Sequence, residues 1–552
     1  MRTLTRRSLA ACFALAVAGA CIAQDQPAAP QGPVVVMRYS VSSVDNVNKL
    51  IAELGIPFPM DIKSQLESAP FLAPGSLATD RPMGMVIVAG DPHKITPFQD
   101  SMAIVVPVNA GKSTPEALTA AGATPIQDQK DTFSMGGAPE SFFLHRTAGN
   151  LIVKQMATSW GLSAIPDDVF TADYKDPSNF AVLSLNFEAM RKAAPEAYKS
   201  VAEDIASFPQ MIAGMIGGGP APAAGDSKPV LAVMDKINRI TAAIAQDDAN
   251  LHLRYFHSPS PLTAKSREMP RPAFPAGTFF QMHVVYPDAA SAGFVEHQLA
   301  ALPDDAFAAG MPPVYHERMK ALVLKAAALN TKSDAISAGF ALRDGHPVFY
   351  LVDQLSEQVD AGKELRDIFQ EATGLATEGA GVKINLDATT YDAGANKVQH
   401  LVLAPDIAAA AAAGTPLPAV ATVKITVDTV QVGKTFYMAI SDNADGKYVA
   451  DLPAAGMKGS SNVLCAGVLD LGEGFKAASD TGGMPGMTPD ELQKLKQAFA
   501  GQAITWTVQS ADAGYLVADL QIPKVAIKKM IAAVSGAPAG QEATPARPIG
   551  LP

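Results

Sequence analysis

Gly111-Lys112-Ser113-Thr114 comes closest to a phosphate-binding motif, because it follows the apolar run MAIVVPV and precedes TPEALTAAG as a strand-to-helix loop would. A phosphate loop cradles its ligand with backbone N–H groups and needs a second glycine five residues before Gly111, where Val106 stands. The spacing predicts a capped helix and no nucleotide chemistry. Ser441-Asp442-Asn443-Ala444-Asp445-Gly446 has the opening of a calcium loop. Its twelfth position is Leu452, where a bidentate glutamate is required. A hairpin turned by Asp445-Gly446 is expected instead.

The nine histidines do not pair in sequence. His252 and His257 lie five apart in a strand-like run and so face opposite sides. His283 is expected on the polar face of FFQMHVV beside Gln281, and Glu296-His297 and His316-Glu317 do not form H-E-x-x-H. Gly-x-Ser-x-Gly is absent. Asp167-Asp168 and Asp304-Asp305 follow prolines and read as helix starts, where negative charge meets the helix dipole. Met211, Met215, Met484 and Met487 raise the alternative of an apolar-ligand groove. No cofactor, no metal ligands and no catalytic set are assigned from these residues.

Export is the strongest signal. Arg2, Arg6 and Arg7 precede the apolar run Leu9 to Ala20, and small residues follow, which is the three-part secretory pattern. Thr5-Arg6-Arg7-Ser8-Leu9 also resembles a twin-arginine signal. Cleavage is expected after Ala23, giving residues 1–23 as the signal peptide. The alternative is cleavage before Cys21, whose Ala18-Gly19-Ala20 approach resembles a lipobox. Cys21 would then carry lipid and anchor the chain to the envelope. No run reaches the roughly 20 apolar residues of a spanning helix, so no transmembrane span is expected. Losing residues 1–23 removes three arginines and no acid, moving the formal charge from −11 to −14. So acidic a chain, without a basic block, does not suit nucleic acid. The remaining cysteine, Cys465 in NVLCAGVLDL, reads as a buried inert thiol.

Along the chain, short apolar strands run directly into capped helices. Examples are VVVMRYS with VDNVNKLIAEL, FAVLSLN with FEAMRKAAPEAY, and LVADLQIP with KVAIKKMIAAV. Thr488-Pro489-Asp490-Glu491 predicts a capping box. Val233, Ile237, Ile240 and Ile244 predict a helix, as do Leu365, Ile368, Phe369 and Ala372. Composition divides the chain into a tether (24–33), a first α+β domain (34–213), a linker (214–229), a second domain (230–404), a possible linker (405–418), a third domain (419–535) and a disordered tail (536–552). Pro287, Pro405 and Pro523 recur at spacings of 118, and the last two follow matching helix–strand–turn–strand segments, which suggests internal duplication. The expected fold is α+β, with tandem modules of antiparallel or mixed sheets and helices packed on one face.

This signal peptide and strand–helix rhythm resemble those of large exported bacterial proteins of unknown function built from repeated strand–helix modules. The resemblance carries no activity or site with it. The expected function is that of an exported, non-enzymatic binding or structural protein of the bacterial envelope. It would be periplasmic or secreted, with an envelope protein or small ligand as partner, and at the membrane only if Cys21 is lipidated. The alternatives are an exported hydrolase with a dispersed active site and an apolar-ligand carrier.

Overall fold

The computed structural model describes residues 33–535 except 57–61, 90–101, 110, 137–141, 156–158, 160, 197, 200, 204–230, 232–233, 259–268, 287–299, 301–312, 381–382, 407–423, 451, 453–456, 462, 482–487 and 512–514. The signal segment with Cys21, the 214–229 joint, the four methionines singled out above, Asp304-Asp305, Glu296-His297 and the 536–552 tail lie outside the described residues. No helix among the described residues is long and apolar enough to cross a membrane.

The chain divides into two compact units, and the first is discontinuous. It takes its residues from 1–261, 511–519 and 524–552, while the second takes 262–510 and 520–523. The first unit contains β1 (Val34–Val41), α1 (Val44–Leu54), α2 (Ile62–Glu67), β2 (Met83–Ala89), β3 (Met102–Pro107), α3 (Pro115–Ala120), β4 (Thr124–Pro125), β5 (Thr132–Met135), β6 (Phe142–Arg146), β7 (Asn150–Gln155), β8 (Asn179–Asn186), α4 (Phe187–Ala193), β9 (Arg239–Gln246) and β10 (Asn250–Ser258). Hydrogen-bonded neighbours run in the order β10-β9-β8-β1-β2-β3-β7-β6-β5-β4, every pair antiparallel.

The second unit contains β11 (Met269–Pro272), β12 (Thr278–Val285), α5 (His316–Ala328), β13 (Ser333–Arg343), β14 (His346–Leu355), α6 (Ala361–Ala380), β15 (Ile384–Ala393), β16 (Asn396–Pro405), β17 (Ile425–Val432), β18 (Thr435–Ser441), β19 (Met457–Ser461), β20 (Cys465–Asp470), α7 (Leu471–Asp480), α8 (Pro489–Phe499) and most of β21 (Ala503–Ala511). Its order is β21-β20-β12-β13-β14-β18-β17-β16-β15, again antiparallel throughout, with β11 and β19 paired separately. Position for position, this matches β9-β8-β1-β2-β3-β7-β6-β5-β4. The last strand, β22 (Tyr515–Pro523), gives its first five residues to the first unit, where it pairs with β10. The helix that follows, α9 (Lys524–Ser535), also belongs to that unit.

These pairings correct the expected fold class. Each unit is built on one long antiparallel run of strands, so the architecture is mostly sheet rather than tandem modules with helices laid on one face. The proposed 118-residue repeat is also not the period of the sheet. The matched orders set β15 and β16 against β4 and β5, but β21 against β9, so the segments 118 residues apart are not equivalent strands.

Local chemistry sets the element boundaries. Ser43 and Asn186 accept the first free N–H groups of α1 and α4, and Gly55 ends α1 in the left-handed region at φ 68°. Thr488 and Glu491 make the capping box of α8, and Thr114 caps α3. Two expectations fail. The alanine-rich run around Ile240 and Ile244 is strand β9, because registers with both β8 and β10 outweigh its helix propensity and bury Ala243 and Ala245. After β18 there is no Asp445-Gly446 hairpin. Asn443 accepts from the Asp445 N–H and donates to Tyr448, turning the chain into Tyr448–Ala450, and Tyr448 and Val449 pack on the sheet. The two-residue turn is made instead by Asp344-Gly345 between β13 and β14, with φ of 54° and 82°.

At Gly467 on β20 an added Cβ would overlap the Trp506 indole on β21. Gly467→Ala is expected to displace the ring and cost about 1–3 kcal/mol. The measurement is the urea midpoint followed by tryptophan emission.

Candidate functional site

In β1, Arg38 and Ser40 point to one face. Arg38 lies opposite Val86 of β2 and Ser184 of β8. The segment from Leu162 to Tyr174 covers this face, burying Leu162, Ile165, Val169 and Phe170 against Val86, Val88 and Val105. It brings Asp173 down onto the strand. Arg38 Nη2 donates to Asp173 Oδ1 at 2.6 Å, with side-chain exposures of 19% and 4%. Ser40 Oγ donates to Asp173 Oδ2, and the Tyr174 hydroxyl donates to Ser40. Burial pushes the Asp173 carboxyl above its ordinary range, and the Arg38 charge and hydrogen bond pull it back. Arg38 Nε is buried and has no hydrogen-bond partner.

Beside this network a cleft of about 230 Å³ opens between the sheet and the covering segment. Its floor carries Arg38, Ser184, Asn186 and Arg239, and its roof carries Pro166, Asp168 and Val169. Arg239 begins β9 opposite Asn186, whose Oδ1 is spent as the α4 cap while its NH₂ group remains a donor. Of the adjacent acids Asp167 and Asp168, the first is not a helix start. It accepts from Thr147, the Gly149 N–H and Asn150, closing the β6–β7 turn. Asp168 faces the cleft.

The second unit builds the same strand register without these charges. The residue capping the helix after β8 is Asn186, and after β20 it is Asp470. Counting from the cap, Gln281 pairs where Arg38 does, and Ala503 pairs where Arg239 does. The sheet therefore forms with neither arginine. A different cleft occurs in the second unit, about 510 Å³, between the Asp344-Gly345 turn and Glu473, Lys476 and Asp480 of α7. Lys476 and Glu473 pair with each other across its wall.

The histidines form pairs that sequence spacing did not show. His252 bridges Asp247 and Asp519 at 3.0 and 3.1 Å and is buried between them. This bridge is complete only when both ring nitrogens carry protons, because carboxylates accept and do not donate. The His252 hydrogen bond, then that of the Asn250 N–H, holds the Asp247 carboxyl well below its usual range. His400 Nδ1 lies 2.6 Å from Asp428 Oδ1, and the Tyr391 hydroxyl donates to the other oxygen at 2.8 Å. That dyad has the orientation of an acid–base pair, but no Ser, Thr or Cys side chain bonds the other ring nitrogen among the described residues. His283 is not on a solvated polar face. It is buried against Ser337 at 2.7 Å, and burial lowers its pKa to about 4. Cys465 is a free, half-buried thiol, pushed up by burial. No group of three metal-ligating side chains occurs among the described residues.

Sequence reading missed the cleft. A charge inside VVVMRYSV was the available signal for Arg38, while Arg239 was hidden by the helix reading of its segment. Comparison with family models, curated proteins and solved structures returns no match.

Proposed function

We propose that this chain is an exported, non-enzymatic binding protein of the bacterial envelope. One observation carries the reading: a charged cleft stands on the strands of one unit, while the same register in the other unit has Gln281 and Ala503 in place of its arginines. Arg38 is spent on its ion pair with Asp173, whereas Arg239 makes no ion pair among the described residues and has Ala503 in its place in the other unit, which favours a contact over a role in folding. Strand-borne side chains also suit binding, because their geometry is held by the ladder. The N-terminal pattern supports export to the periplasm or beyond.

Native mass spectrometry of the protein recovered from its own host tests this. The expected result is a chain starting at Gln24 that carries a noncovalent small molecule. A ligand-free mass, together with turnover of ester or peptide substrates abolished by His400→Ala, would overturn it in favour of the hydrolase.

A further inference from the structure

We infer that the first-unit cleft binds a small zwitterion, a molecule bearing one carboxylate and one ammonium group, as an α-amino acid does. The inference rests on the binding reading above and names its ligand class. The cleft's charges divide into a satisfied pair and an unsatisfied one. Arg38 and Asp173 neutralise each other through a buried 2.6 Å ion pair, on which the Arg239 charge acts only as the weakest of the influences that lower the Asp173 carboxyl. Arg239 on the floor and Asp168 on the roof make no ion pair among the described residues, and both are exposed at the cleft. They leave one positive and one negative pole on opposite walls.

A simple anion would satisfy Arg239 and meet Asp168 with repulsion, and a simple cation would do the reverse. A zwitterion satisfies both poles. The Arg239 guanidinium can take a carboxylate in bidentate fashion, and the Asn186 NH₂ adds a neutral donor beside it. The Asp168 carboxylate accepts from an ammonium. About 230 Å³ restricts the ligand to a small one. Ala503 stands in the second unit where Arg239 stands in the first and supplies no positive pole, so this site is expected once per chain.

Calorimetric titration of the full mature chain with glycine and with L-alanine tests the class, with acetate and methylammonium as single-charge probes. Both zwitterions are expected to bind once per chain, at least about tenfold tighter than either single-charge probe. Arg239→Gln and Asp168→Asn should each weaken them by about tenfold or more. Both residues are exposed, and unchanged thermal melts would confirm that the variants fold. Absence of zwitterion binding, equal binding of acetate, or full binding by both variants would overturn the inference. If a different small molecule is then found on the native protein, the ligand class fails while the binding reading stands. If the native protein is ligand-free and hydrolytic, both fail.

Discussion

A chain stopped after Ser510 is expected to lose protection in the first unit, in segments hundreds of residues upstream of the stop. The deleted residues supply β22 beside β10, Asp519 on His252, and α9 against α1. Ala526 is fully buried there, and Lys524, itself nearly so, pairs with Glu53. Removing Asp519 alone leaves a buried imidazole short of a carboxylate, a loss of roughly 3–5 kcal/mol for a broken buried pair. Removing the strand and helix as well exposes the β10 edge and the apolar side of α1, and the combined cost approaches the whole stability of a domain. Hydrogen exchange followed by mass spectrometry gives the readout. Peptides covering Leu251–Phe256 and Val44–Leu54 should exchange freely, while those covering β13 and β14 stay protected. Protection of β10 equal to that in the full chain would refute this.

The second large effect concerns Asp353 on β14. The carboxylate is buried, accepts from Ser333 at one oxygen, and has no partner at the other. Burial, with the nearby Asp334 charge adding to it, pushes its pKa up to about 6 against the Ser333 hydrogen bond. A folded pKa above the unfolded one means that the fold prefers the protonated acid. Stability from this group is fully present below about pH 4 and is lost as pH rises through about 6. Asp353→Asn keeps the shape and the Ser333 bond, and replaces one unpartnered buried atom with another. It is expected to stabilise the protein at pH 8 by up to about 3 kcal/mol, and hardly at all at pH 4. Thermal melts of both proteins across that range should converge at the acid end. A destabilised variant at pH 8 would show that the ionised carboxylate has a partner worth more than its burial.

What was legible in the sequence was local. Ser43, Asn186 and Thr488 mark helix starts because a cap acts within three residues of itself, and all three were readable. Strand order was not readable, because it rests on pairings such as β3 with β7 and β12 with β20, made across long intervening segments. Alternation in the alanine-rich β9 is weak, so the helix-like spacing of its isoleucines masks a strand that only its pairing with two neighbours defines. The cleft divides in the same way. Arg38 stood out as a charge in an apolar strand, but Asp173 lies 135 residues away, and nothing in its own neighbourhood announces the pairing. The roles of Asp167 and Asp168 diverge only once the β6–β7 turn is in place to claim the first of them.

The discontinuous first unit also imposes an order in time. A ribosome makes β1 to β10 early, yet residues 515–519 and 524–535, which complete that unit, follow the whole of 262–510. During the interval β10 is an open edge while the whole second unit is synthesised. The nascent chain must keep that edge from pairing with other chains. A chain cut short anywhere between β10 and β22 therefore keeps an unpaired strand in its first unit.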